Sequence, residues 1–199
     1  WARGQGHLTS DPAQGIIIGT DHTDIGILTL AQCQALLHTA QRLTPALPKR
    51  SLLGYITLGL FCGLRRAEIE RLRWPDIRLE EKLLIISAGH AKTRMRRVVD
   101  IPENAIAWLQ LDPAHATKLK VAPSDFKEIW RTFRSTAGLH TWPNNALRHT
   151  YASMHYAEHQ NENLLAAQMG NSPLMVHRHY RALSTKAEAT AFWSLRPAG

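Results

Sequence analysis

The chain has 199 residues, enough for one domain plus a linker or tail, and its 44% hydrophobic and 20% charged residues are ordinary for a globular protein. Twenty-four Lys and Arg against 16 Asp and Glu give a formal net charge of +8 and a pI near 9.9, which favours a polyanionic partner, nucleic acid first. No apolar run approaches the roughly 18 residues of a membrane-spanning helix, so no membrane partner is expected.

Residues 1–25 are rich in Gly, Ser, Thr and Asp, with one short apolar patch, GIIIG. They read as a linker or the remnant of an upstream domain, with the folded domain over 26–199. Order is expected to begin at TLAQCQALLHTAQRL. Thr29 followed by Gln32 makes a capping box, and Leu30, Cys33, Leu37 and Ala40 recur at helical spacing. SLLGYITLGLFCGL predicts a buried helix stopping near Gly63, a residue suited to a left-handed C-terminal cap. RRAEIERLRW predicts a short amphipathic helix broken at Pro75. Both cysteines, Cys33 and Cys62, fall inside apolar patterns without metal-ligand spacing and read as free buried thiols of a reducing cytosol.

Over residues 77–101 the periodicity changes. IRL, LLIIS and RRVVDI are short and rich in branched residues, and they predict a small antiparallel sheet. Helices resume at PENAIAWLQL and at SDFKEIWRTFRSTAG, where Phe126, Ile129, Trp130 and Phe133 share a face and Gly138 ends the run. NNALRHTYASMHYAE, ENLLAAQM, SPLMVHRHYRAL and TKAEATAFWSL complete the chain, the last with a capping box from Thr185 to Glu188. In SPLMVHRHYRAL, Leu174, Met175 and Val176 are expected to anchor the helix. The fold class is therefore mainly α with a small antiparallel β-sheet.

Four segments carry polar residues that their local structure does not require. In GLRRAEIERLRWPDI, Arg65 follows directly on an apolar helix, and Glu68 lies three residues on, placed to hold it. AKTRMRR puts four cations in seven residues on a hairpin turn, a shape suited to tracking phosphates. In PNNALRHTYAS, Asn145 and Arg148 face the same way at a helix start, where an anion is already favoured. In MGNSPLMVHRHYRAL, Asn171 sits at a helix entrance, with Tyr180 about two turns on among cationic side chains. A phenol with a pKa near 10 needs such help to act as a nucleophile. His155 and His159 have the i,i+4 spacing of metal ligands, but HYAEH is not HExxH and no third ligand follows, so they read as two histidines on a wet face. No metal and no cofactor is expected.

In this order and spacing, the four segments resemble the catalytic domain of the tyrosine recombinase, or phage integrase, family. GLRRAEIERLRWPDI is similar to its first-arginine motif, KTRMRRVVDIP to its lysine-bearing hairpin and ALRHTYAS to its second-arginine motif. MGNSPLMVHRHY is similar to the segment leading to the nucleophilic tyrosine, with nine residues from Asn171 to Tyr180. The resemblance covers roughly residues 26–196 and implies the integrase catalytic-domain fold.

It further implies a site-specific recombinase that cleaves and rejoins double-stranded DNA through a 3′-phosphotyrosyl link. Tyr180 would be the nucleophile, Arg65 and Arg148 the phosphate clamps, Lys92 the proton donor to the departing 5′-oxygen, and Glu68 the support of Arg65. Arg94, Arg96, Arg97 and Arg178 are candidate DNA contacts. The C-terminal helix, 185–195, would join protomers in a tetramer on DNA, and the protein would work in the cytoplasm at the nucleoid. Two positions depart from the pattern: Asn145 stands where histidine is usual, and Asn171 where histidine or tryptophan is usual. An amide donates a hydrogen bond but takes no proton. His149, His177 and His179 are the histidines near enough to substitute. The alternative is a recombinase-like DNA-binding protein impaired in cleavage.

Overall fold

The computed structural model describes residues 4–8, 10, 25–87, 96–117, 119–180 and 183–197. Helix α1 (Leu30–Leu43) starts at the expected capping box, with the Thr29 hydroxyl accepting from the Gln32 N–H and the Gln32 side chain from the Thr29 N–H. All nine residues of helix α2 (Leu53–Phe61) are buried, which is why its sequence shows no polar face. The first turn of α2 is tied to buried Asp112, whose carboxylate accepts from the Ser51 hydroxyl at 2.7 Å and the Gly54 N–H at 3.0 Å. Donors that a helix start leaves unpaired are thus satisfied from far along the chain.

The amphipathic helix expected over RRAEIERLRW is a single turn, α3 (Arg66–Ile69). Beyond it the backbone pairs elsewhere: the Val121 N–H donates to the Leu72 carbonyl at 3.0 Å, and the Trp74 N–H to the Leu119 carbonyl at 3.1 Å. That long-range pairing outcompetes helical continuation, and Pro75 falls in a 3-10 turn, Trp74–Asp76.

Strands β1 (Ile77–Arg78), β2 (Leu83–Ile86) and β3 (Arg97–Asp100) form the expected antiparallel sheet in sequence order. Leu84, Ile86 and Val99 face the core. The segment between β2 and β3 that carries Lys92 and Arg94 lies outside the described residues, as do most of residues 1–25.

Helix α4 (Glu103–Leu109) packs on α2, and α5 (Phe126–Thr136) stacks Phe126, Trp130 and Phe133 at ring spacings of 5.7 and 5.8 Å. Helix α6 (Ala146–His159) lies against α2 and carries α7 (Glu162–Met169), α8 (Pro173–Tyr180) and α9 (Lys186–Trp193) on its other sides.

Two side-chain expectations are corrected. Leu174 and Met175 are exposed, and α8 is anchored instead by Val176 and Tyr180, an i,i+4 pair buried against α6 and α7. His155 is 6% exposed and packed against Tyr151 and Trp193, so it does not lie on a wet face. Burial, with the neighbouring His159, lowers its pKa to about 4. The C-terminal helix α9 buries Ala189 and Phe192 within its own chain, packed on α6 and α1.

Candidate active site

The site is built where the end of α2, the start of α6 and the end of α7 meet. Past Phe61 the chain turns at Gly63, with φ +62, and a Cβ there would lie 2.2 Å from the Tyr151 ring. Only glycine meets both conditions. The turn presents Arg65 to the interior and aims the Gly63 carbonyl at Arg148, whose Nη1 donates to it.

Both guanidiniums then converge on the last carbonyls of α7. Arg65 Nη2 donates to the Gly170 carbonyl at 2.9 Å, and Arg148 Nη2 to the Met169 carbonyl at 2.9 Å. These are the acceptors a helix leaves unpaired at its negative end, so they suit cations. Gly170, at φ +64, closes the helix and lets Asn171 turn back over it. The Asn171 Oδ1 accepts from Arg65 Nη2 at 2.8 Å and from Arg148 Nη2 at 3.2 Å. One amide oxygen therefore bridges the two arginines, and its NH2 group remains as a donor.

Glu68 holds this array from behind. It is 1% exposed and accepts from the Arg65 N–H at 2.8 Å and Arg65 Nη1 at 3.0 Å. Arg97 grips the same carboxylate with both Nη atoms, at 2.9 and 2.8 Å. Burial by itself would raise the Glu68 pKa. The Arg97 hydrogen bonds, the Arg65 backbone N–H and the charges of both arginines outweigh it and hold the carboxyl below its ordinary value.

The hairpin arginines thus part ways. Arg97 is turned inward as a brace, with its Nε donating to the Gln168 carbonyl at 3.1 Å, whereas Arg96 is exposed, as is Arg178 on α8. Nothing in the local pattern of AKTRMRR separates Arg96 from Arg97. The β alternation, which sends neighbouring side chains to opposite faces, does.

Among these groups three guanidiniums, Arg65, Arg97 and Arg148, share one carboxylate. Arg148 is 6% exposed, and burial first, then the charge of Arg65, lowers its pKa to about 9. The site is short of negative charge at the point where the two arginines meet.

Tyr180 reaches the same place from α8. Its ring is buried between α6 and α7 and its hydroxyl lies 2.7 Å from His149 Nδ1. Burial raises its pKa above the ordinary phenol value, against the pull of Arg148 and Arg65. Arg65, Arg148, His149, Asn171 and Tyr180 line one open cavity of about 1240 Å³. Asn145 also lines it, exposed, in a left-handed conformation with φ +53 that asparagine tolerates well. The sequence-derived candidates Arg65, Glu68, Asn145, Arg148, His149, Asn171 and Tyr180 are therefore brought together, while Lys92 and Arg94 lie outside the described residues. Among the described residues no cluster of three or more His, Cys, Asp or Glu could hold a metal ion, and no helix is long and apolar enough to cross a membrane.

Three solved structures share the fold. XerA recombinase is 18% identical, with a TM-score of 0.62 over 88% of this chain and 67% of its own. The Tn1549 transposon integrase, solved with a circular intermediate DNA, is 21% identical, with a TM-score of 0.60 over 86% of this chain and 66% of its own. XerH site-specific recombinase, bound to its difH substrate before cleavage, is 19% identical, with a TM-score of 0.59 over 87% of this chain and 56% of its own. The chain thus spans between about half and two thirds of the length of these proteins. No curated protein matched it. The family model of the phage integrases matches residues 27–187, most of the chain, and the chain belongs to that family of tyrosine recombinases.

Proposed function

We propose that this chain is the catalytic domain of a site-specific DNA recombinase that cleaves and rejoins strands through a 3′-phosphotyrosyl intermediate. The observation that carries the reading is the pair of guanidiniums, Arg65 and Arg148, bridged by one Asn171 oxygen in the cavity that Tyr180 lines. A phosphodiester entering there supplies the missing negative charge. Its non-bridging oxygens replace the Asn171 oxygen on the arginines, and the charge they gather in the transition state meets donors already in place.

Tyr180 Oη attacks phosphorus, the P–O5′ bond breaks, and the bond energy is kept in the phosphotyrosine for rejoining without ATP or metal. Lys92, by its place in the family pattern, protonates the 5′-oxygen. Asn171 contributes its free NH2 to the phosphate, and Glu68 with Arg97 keeps Arg65 in place. Arg94, Arg96 and Arg178 follow the DNA backbone, in a chain whose net charge of +8 suits a polyanion. Self-assembly on DNA as a tetramer uses the outward face of α9, because Ala189 and Phe192 are already occupied inside the chain. The place of action is the nucleoid.

Asn145 favours a second reading, a DNA-binding protein impaired in cleavage, since its exposed amide replaces a usual histidine and takes no proton. One experiment decides. The intact protein is incubated with nicked suicide duplexes drawn from the ends of its own locus and scored for an SDS-resistant adduct. An adduct lost in Tyr180→Phe supports the recombinase. An adduct formed only by Asn145→His/Asn171→His supports the impaired reading.

A further inference from the structure

We infer that His149 is the group that takes the proton from Tyr180 during attack and returns it during rejoining, in place of a histidine at position 145. The inference rests on the recombinase reading and deepens it. Nucleophilic attack by a phenol requires an acceptor within hydrogen-bond reach of the hydroxyl. Asn145 is an amide and supplies no basic nitrogen. His149 supplies one, one helical turn further along α6, with Nδ1 2.7 Å from Tyr180 Oη.

The two side chains come from different elements, α6 and α8. Tyr180 is packed beside Tyr151, Val176 and Met169, which holds its ring against the helix that carries His149. The imidazole is half-buried beside the cavity in which the arginines meet.

Burial, with the cations facing it, keeps His149 neutral. Arg148 precedes it on α6, His179 approaches from α8, and Arg65, Arg66, Glu70 and Arg178 line the same cavity. Burial first, then Arg148 and His179, lowers its pKa below the ordinary value of 6.5. Tyr180, raised by burial, keeps its proton at the same pH. The resting pair is an un-ionised phenol beside a neutral imidazole, and base action requires the imidazole hydrogen on Nε2, so that the phenol O–H donates to Nδ1.

The step balances. As the Oη–P bond forms and the P–O5′ bond breaks, the phenol proton moves to Nδ1, and the 5′-oxygen takes its proton from a separate acid. On rejoining, the 5′-hydroxyl gives its proton back to that acid as its oxygen attacks, the P–Oη bond breaks, and the imidazolium returns its proton to Oη. Phosphate binding helps the transfer, because a dianionic transition state offsets Arg65 and Arg148 and makes an imidazolium easier to form beside them.

Two measurements test this. The first needs no DNA: nitrogen NMR of His149 in the wild type and in Tyr180→Phe. The expected result is a neutral ring at pH 7, hydrogen on Nε2, with an Nδ1 signal that moves when the hydroxyl is removed. A protonated ring at pH 7, or hydrogen on Nδ1, overturns the inference.

The second is the rate of adduct formation against pH for the wild type and His149→Asn, on nicked duplexes with either an ordinary or a sulfur-bridged 5′ leaving group. His149→Asn keeps an acceptor near Tyr180 but no base, so the rate at pH 7 falls by about 10²–10⁴-fold and recovers as pH rises. The sulfur leaving group, which needs no acid, does not restore it. Wild-type rates and an unchanged pH profile in His149→Asn, or rescue by sulfur, overturn the inference. If the wild type forms no adduct at all, the recombinase reading fails, and the NMR result still decides the His149–Tyr180 pairing.

Discussion

Replacing Glu68 by glutamine tests whether the site is held by charge or only by shape. The side chain is 1% exposed and accepts from Arg65 N, Arg65 Nη1 and both Arg97 Nη atoms. Glutamine keeps the volume but removes the charge and turns one oxygen into an NH2 group facing a guanidinium donor. Breaking one side of a buried ion pair costs about 3–5 kcal/mol. For a chain of this size each kcal/mol lowers Tm by about 2–4 °C, so a fall on the order of 10 °C is expected.

The assay is thermal and urea unfolding, with Arg97→Met and the double variant completing a cycle. The double variant should be less destabilised than the sum of the singles by more than about 1 kcal/mol, because Arg97 no longer needs its partner. The pH dependence gives a second check. The Glu68 pKa is held below 4.5 in the folded state, so its contribution is full above that value and is lost as pH falls through the folded pKa. The stability gap between wild type and Glu68→Gln should be constant near neutrality and narrow below about pH 4.5. A loss under about 1 kcal/mol, additivity in the cycle, or a gap that widens in acid would refute the reasoning.

Gly63→Ala should destabilise by about 2–5 kcal/mol in urea melts, since it combines a left-handed φ with a Cβ 2.2 Å from the Tyr151 ring. Tyr180→Phe loses only a half-buried hydrogen bond to His149 and should cost no more than about 1.5 kcal/mol in the same assay while abolishing adduct formation. Asn145→Gly should be neutral or better in thermal melts, and Asn145→Ala should cost about 1 kcal/mol, because φ +53 suits asparagine and glycine but not alanine. Asn171→Leu should weaken binding of duplex DNA and shift it toward lower salt, since the phosphate loses the amide donor and the unoccupied guanidiniums lose the oxygen that holds them together.

Local chemistry made much of the architecture legible in advance. The capping boxes at Thr29 and Thr185, the glycines at 63, 138 and 170, and the change from helical spacing to short branched runs each act over a few residues, and the structure follows them. The order of Arg65, Lys92, Arg148 and Tyr180 carried the family for the same reason, since motif spacing is a property of the chain.

What the sequence could not decide were choices between distant partners. The amphipathic run after Arg65 ends after one turn because Leu72 and Trp74 find backbone partners at Val121 and Leu119. Arg96 and Arg97 are neighbours of one residue type, yet one faces solvent and the other braces Glu68. His155 became a core residue when α9 packed over it, and His149 was singled out from three nearby histidines by 2.7 Å to Tyr180. Each of these depends on which surfaces meet after collapse, and burial and hydrogen-bond distance exist only once they have met.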